Sequence, residues 1–149
     1  MSEAATAPQK MIPNPDGRNA DFYRCAATGT LHLQQCTRCS HYYHPPRYLC
    51  RECGSGELEF VPSEGRGRVF SWTVTHRPVE AAWALEIPYA TVVVAMDEGP
   101  RLVGGLRGMA PADLGLDLPV RVEIEKVNED FARVWFAPEP TAAREETES

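Results

Sequence analysis

Four of the five cysteines fall into two pairs, Cys36-Thr37-Arg38-Cys39 and Cys50-Arg51-Glu52-Cys53, with ten residues between the pairs. A C-x-x-C turn lets two sulfurs converge on one ion, and two such turns supply the thiolates of a tetrahedral zinc site. Gly54, directly after the second pair, can take the left-handed conformation that closes a knuckle, and Ser40 holds the equivalent place after the first. Cys36, Cys39, Cys50 and Cys53 would leave no open position for water, so the expected metal is one structural zinc per chain. Four thiolates on one divalent ion leave a formal charge of about −2, which Arg38, Arg47 and Arg51 stand close enough to offset. Two disulfides or a redox pair are the competing uses. A reducing compartment disfavours the first, and no thioredoxin-like pattern supports the second. Cys25 is too far from Cys36 to join a knuckle and is expected to pack as a small apolar side chain. His32, His41 and His44 flank the pairs and are expected to pack or face solvent rather than replace a thiolate.

The elements that must carry these residues are short. The chain has 149 residues with 13 Pro and 11 Gly, which suits one ordinary domain or two very small ones and argues against a helical bundle. No apolar run approaches the length of a membrane span, and the first ten residues lack the apolar run of a signal peptide, so a soluble, cytoplasmic chain is expected. The net charge is −6, and about half of it sits in the last dozen residues. A mildly acidic middle disfavours general binding to a phosphate backbone without excluding a local basic patch.

Beyond the cysteines the pattern turns to period two. Arg68–His76 alternates, with Phe70, Trp72 and Val74 expected on one face. Ala90–Met96 leads through Asp97-Glu98-Gly99-Pro100 to Arg101–Leu106, whose Gly104-Gly105 signals a bulge or a close backbone approach. Pro119–Val127 points Val120, Val122 and Ile124 inward, and Phe131–Phe136 returns after Asn128-Glu129-Asp130. Five strands in this order predict a Greek-key OB barrel, with a small SH3-like barrel as the alternative. Asp21-Phe22-Tyr23 predicts a short helix. No Ser-His-Asp spacing and no paired carboxylates stand out.

Taken together, Leu33-Gln34-Gln35-Cys36-x-x-Cys39, His44-Pro45-Pro46-Arg47-x-x-Cys50-x-x-Cys53-Gly54 and Gly65-Arg66-Gly67-Arg68-Val69-Phe70-Ser71-Trp72-Thr73-Val74 resemble a known family. Its members are small rubredoxin-like zinc-ribbon plus OB-fold proteins associated with acyl-CoA metabolism. The resemblance runs over roughly residues 20–138 and departs from the family at Ser40, where glycine is usual. It implies a mainly β fold with an N-terminal helical segment, with helix and zinc ribbon over 21–62 and an OB-fold barrel over 63–138. Outside it, a flexible N-terminus over 1–20 and, from its charge, an acidic flexible tail over 139–149 are expected.

The resemblance also implies a partner. Such proteins act as accessory subunits of thiolase-like enzymes, among them acyltransferases and aldolases that cleave steroid side-chain acyl-CoAs. The chain is then not catalytic alone and serves assembly and acyl-CoA binding in a hetero-oligomer. Arg66 and Arg68, flanking Gly67, are candidates for CoA phosphates or else ordinary surface charges. Phe22, Tyr23, Trp83 and Leu85 are candidate interface residues, although Trp83 would serve equally as a lid folded over the barrel end. Two other classes stand beside this one. A single-stranded nucleic-acid binder would use Phe70, Trp72 and Trp135 as stacking platforms. A free-standing acyl-CoA-binding protein would need a pocket formed by ribbon and barrel alone.

Overall fold

Alternating side chains shape most of the backbone. The computed structural model describes residues 8–140. The acidic end beyond residue 140 and the first seven residues, expected to be flexible, lie outside the described residues. Helix α1 (Gly17–Ala26) leads into β1 (His32–Cys36), β2 (Tyr42–Tyr43) and β3 (Leu58–Pro62). Then follow β4 (Arg66–Thr75), β5 (Tyr89–Met96), β6 (Arg101–Leu106), β7 (Pro119–Lys126) and β8 (Ala132–Pro138). The helix starts at Gly17, so residues 17–20, assigned above to a flexible N-terminus, are helical.

The first three strands form an antiparallel sheet in the order β2-β1-β3, and the last five close into a barrel in the order β4-β5-β6-β8-β7. Closure comes from antiparallel pairing of Arg66–Arg68 in β4 with Pro119–Arg121 in β7. The third and fifth barrel strands run parallel, paired at Gly105↔Trp135 and Leu106↔Phe136. This is the five-stranded barrel that the sequence predicts. The glycine pair marks a close approach: a Cβ on Gly105 would lie 2.6 Å from the Trp135 ring, and one on Gly104 2.7 Å from the Phe136 ring.

The barrel core takes every second residue of β5, namely Ala90, Val92, Val94 and Met96, with Leu102, Val120 and Phe136 facing them. β4 departs from the expected alternation. Its pairing with β5 slips between Val69 and Ser71, so Val69 points inward, Trp72 and Val74 pack against the core, and Phe70 is left exposed. A bulge adds one residue and inverts the faces on either side of it. Phe22, Leu31 and Leu33 belong to this same core, so the apolar packing crosses the boundary at residues 62 and 63. The tip of the ribbon keeps a small cluster of its own, Cys36, Tyr43, Cys50 and Leu58. No helix among the described residues is long and apolar enough to cross a membrane.

Candidate metal centre and adjoining surface

Two turns of matching geometry bring the sulfurs together. In the first, the amide of Ser40 donates to the Cys36 carbonyl at 2.9 Å and that of Cys36 to the His41 carbonyl at 2.9 Å. In the second, Gly54 donates to Cys50 at 2.9 Å and Cys50 to Ser55 at 2.8 Å. Ser40 and Gly54 both take left-handed backbone, with φ of 67° and 74°. The four Sγ atoms lie within 4.8 Å of one another, with Cys36–Cys53 at 3.6 Å and Cys39–Cys50 at 3.4 Å. A regular tetrahedron with zinc–sulfur bonds of about 2.3 Å has edges of about 3.8 Å. The donor set fits a structural zinc, held by Cys36, Cys39, Cys50 and Cys53.

The four thiols divide in how readily they take charge, Cys36 and Cys50 shifted down and Cys39 and Cys53 shifted up. The backbone amide of Cys39, with that of Arg38, draws the Cys36 thiol below its usual range. The Tyr43 hydroxyl, with the amides of Cys53 and Glu52, brings the Cys50 thiol down to about 6. Against the pull of the His41 amide, hydrogen bonding to Cys50 pushes the Cys39 thiol up to about 12. Buried Cys36 and Cys50 therefore hold the negative charge more readily than Cys39, and an entering zinc ion displaces the remaining protons. Tyr43 Oη accepts from the Arg51 amide at 2.9 Å and lies 3.2 Å from Cys50 Sγ, so its own proton faces the sulfur. Gln34, buried within β1, clamps the link between knuckles: its Nε2 donates to the Arg47 carbonyl, and the Arg47 amide donates to its Oε1, both at 2.7 Å.

Arg66 and Arg68 point outward on β4, on either side of buried Gly67. Arg66 lies opposite Arg121 of β7. Arg68 and Arg101 of β6 flank Ala95 of β5, the three forming one row across the outer face. The Arg101 guanidinium sits 3.7 Å above the exposed Phe70 ring. Arg68 donates to the Asp117 carbonyl at 3.2 Å, and Arg66 lies 3.5 Å from Glu139. The sequence shows Arg66 and Arg68 together, but strand pairing alone brings Arg101 into the row of Arg68 and Arg121 opposite Arg66. Of the aromatics considered for stacking bases, Trp72 packs against the core. Trp135 donates its indole N–H to Glu125 at 2.9 Å and lies under Arg107.

The aromatics and Leu85 separate. Phe22 is 4% exposed and sits edge-on to Tyr23 in the core, which removes it from the interface candidates. The helix presents it to the barrel, a destination that composition does not reveal. Tyr23 is half-buried against Phe131, ring centroids 4.8 Å apart. Trp83 folds back, with the Tyr89 ring 5.4 Å away and the Lys10 ammonium 4.2 Å above it. Lys10 also pairs with Glu86, which ties the segment before α1 to this loop. Leu85 and Val79 stand almost fully exposed beside it.

Residues 26–59 match the family described as ChsH2, rubredoxin-like zinc ribbon domain, and residues 60–125 match ChsH2, C-terminal OB-fold domain. A chain of the solved Ltp2-ChsH2(DUF35) aldolase aligns with a TM-score of 0.77 at 32% identity, over 85% of this chain and 98% of that one. The chain belongs to the ChsH2 family. A probable enoyl-CoA hydratase alpha subunit from Thermomonospora curvata is 32% identical over 133 residues, 88% of this chain and 41% of the relative. The 3-oxo-4,17-pregnadiene-20-carboxyl-CoA hydratase alpha subunit of Mycobacterium tuberculosis is 37% identical over 111 residues, 74% of this chain and 35% of the relative. The chain thus spans well under half the length of these two curated relatives.

Two consequences follow for this ChsH2-type ribbon. Ser40 adopts a backbone that glycine adopts freely, so Ser40→Gly is expected to stabilise the first knuckle by up to about 1 kcal/mol, read as a higher urea midpoint at unchanged slope. His44 packs its ring 4.8 Å from Phe22, and burial brings its pKa down to about 4. An unfolded histidine titrates near 6.5, so between these values the unfolded chain binds more protons than the folded one. Stability therefore falls as pH drops from about 6.5 to 4, by about 3 kcal/mol in total from this residue. Urea titrations at pH 7 and pH 4.5 should show a smaller acid loss in His44→Phe than in the parent. Equal losses would place the acid sensitivity elsewhere.

Proposed function

We propose that this chain is a non-catalytic accessory subunit of a thiolase-like acyl-CoA enzyme, a thiolase or an aldolase acting on steroid side-chain acyl-CoAs, and that it works in the cytoplasm. Its similarity along nearly the whole of the DUF35 chain in an aldolase carries this reading. The zinc holds the ribbon, and the ribbon and barrel together offer a preformed surface to the partner. Leu85 and Val79, projecting from the β4–β5 loop, are the apolar contacts such a surface needs, with Tyr23 and Trp83 behind them. Arg66 and Arg68, joined by Arg101 and Arg121, meet the phosphates of CoA by charge-assisted hydrogen bonds. Exposed Phe70 adds a ring against which a base can stack.

Co-expression with thiolase-like acyl-CoA enzymes of the same organism, followed by size-exclusion chromatography, tests the proposal. Co-elution and acyl-CoA turnover that depends on both chains are expected, and Leu85→Asp should weaken co-elution. A partner that never co-elutes and is fully active alone would overturn it.

A further inference from the structure

β6 and β8 make the shortest seam of the barrel wall, with pairing only at Gly105↔Trp135 and Leu106↔Phe136. Helix α1 packs against β8 and adds Phe22 to the core. A cavity of about 380 Å³ remains, bounded by the β5–β6–β8 wall, α1, His44 of the ribbon and Trp83 of the β4–β5 loop. That volume lies within the range of small-molecule sites, about 300–1,000 Å³. We propose that this cavity binds a flat, uncharged ring compound carrying an acceptor oxygen, such as an aromatic or alicyclic ketone.

The walls select the ring. Tyr23, Trp83, Tyr89, Phe131 and Trp135 all face the cavity, and aromatic faces and edges favour a planar apolar guest. The polar groups select the oxygen. His44 Nδ1 is sealed from solvent and has no hydrogen-bond partner among the described residues. An unpaired lone pair there costs less than an unpaired N–H, so the single proton of the neutral ring belongs on Nε2. His44 and Thr91 both line the cavity, and the Nε2 N–H is assigned as the donor to the carbonyl. Arg133, the cation of the lining, lies 3.8 Å from Glu125, which offsets part of its charge and favours a neutral guest over an anion. The site is complete within one chain and lies apart from the Arg68–Arg101 row, so it does not rest on the partner reading.

Calorimetry on the zinc-loaded full chain, with 2-acetylnaphthalene and 2-ethylnaphthalene as probes, tests it. The ketone should bind about five- to tenfold more tightly than the hydrocarbon, the worth of one neutral hydrogen bond. His44→Phe should level the two probes. Val103, which lines the cavity and is 60% exposed, offers a variant that the fold tolerates: Val103→Trp should block both probes while leaving zinc content unchanged. Amide shifts on binding should cluster at residues 22–24, 89–91 and 131–135. No binding to the parent, equal affinity for both probes, or shifts confined to another face would each overturn the proposal.

Discussion

Cys36→Ser and Cys53→Ser chains are expected to purify with almost no zinc while keeping the far-ultraviolet signature of the barrel. A serine hydroxyl does not ionise to replace a thiolate, and three sulfurs leave the tetrahedron open. The tip has little else to hold it. Two of the four residues in its buried cluster are themselves ligands, and β2 contributes only two paired residues. Metal binding supplies about 10 kcal/mol or more to segments of this kind, far above what such a cluster provides. The damage should stop at β1 and β3, whose register runs over five pairs from His32↔Pro62 to Cys36↔Leu58 and whose Leu33 is anchored in the barrel core. Tyr43→Phe is a graded comparison. It keeps all four ligands and removes one O–H facing Cys50, so zinc should remain but bind about 10- to 100-fold more weakly in chelator competition. Cys25→Ser should keep full zinc, because this half-buried thiol stands outside the cluster. Full occupancy in either of the first two variants would overturn the ligand assignment.

What could be read before folding was whatever is encoded locally. Two C-x-x-C turns fix their sulfurs within a few residues, and Ala90–Met96 is an unbroken Val-rich run between Pro88 and the Asp97-Glu98-Gly99-Pro100 turn, so metal set and barrel strands were legible. Phe70 was not, because the bulge beside it inverts the inward face with no glycine at the slip to announce it. Asp21-Phe22-Tyr23 reads as a helix that packs or docks through its aromatics, and only the folded barrel decides that Phe22 packs inward. Gln34 and Tyr43 escaped for a related reason. Their partners, Arg47 and Cys50, arrive from across the knuckle, and nothing in their own neighbourhood marks them as supports for the metal. Arg101 joins Arg68 only because Ala95 stands between them in the closed sheet.

Gly67→Ala is expected to cost the barrel about 3 kcal/mol, the upper end of ordinary overpacking. A Cβ at this position would lie 2.5 Å from the Ala95 carbonyl oxygen and 2.6 Å from Val94 Cγ1. The first contact is backbone, and it belongs to β5, paired on one side with β4 and on the other with β6. It cannot retreat without stretching both ladders. Gly105→Ala meets the Trp135 ring first, a side chain that can tilt, so its loss should be smaller. Gly115→Ala meets nothing within 4 Å and should be nearly neutral. Urea unfolding of the three variants at unchanged slope would establish the order, and a Gly67→Ala chain within 1 kcal/mol of the parent would contradict it. The same substitution also bears on function. Gly67 pairs with Val120 where β4 meets β7, and that closure sets Arg66 opposite Arg121 and Arg68 beside Ala95. If the arginine row receives CoA phosphates, Gly67→Ala should lose stability and CoA affinity together, whereas Arg68→Ala should lose affinity alone.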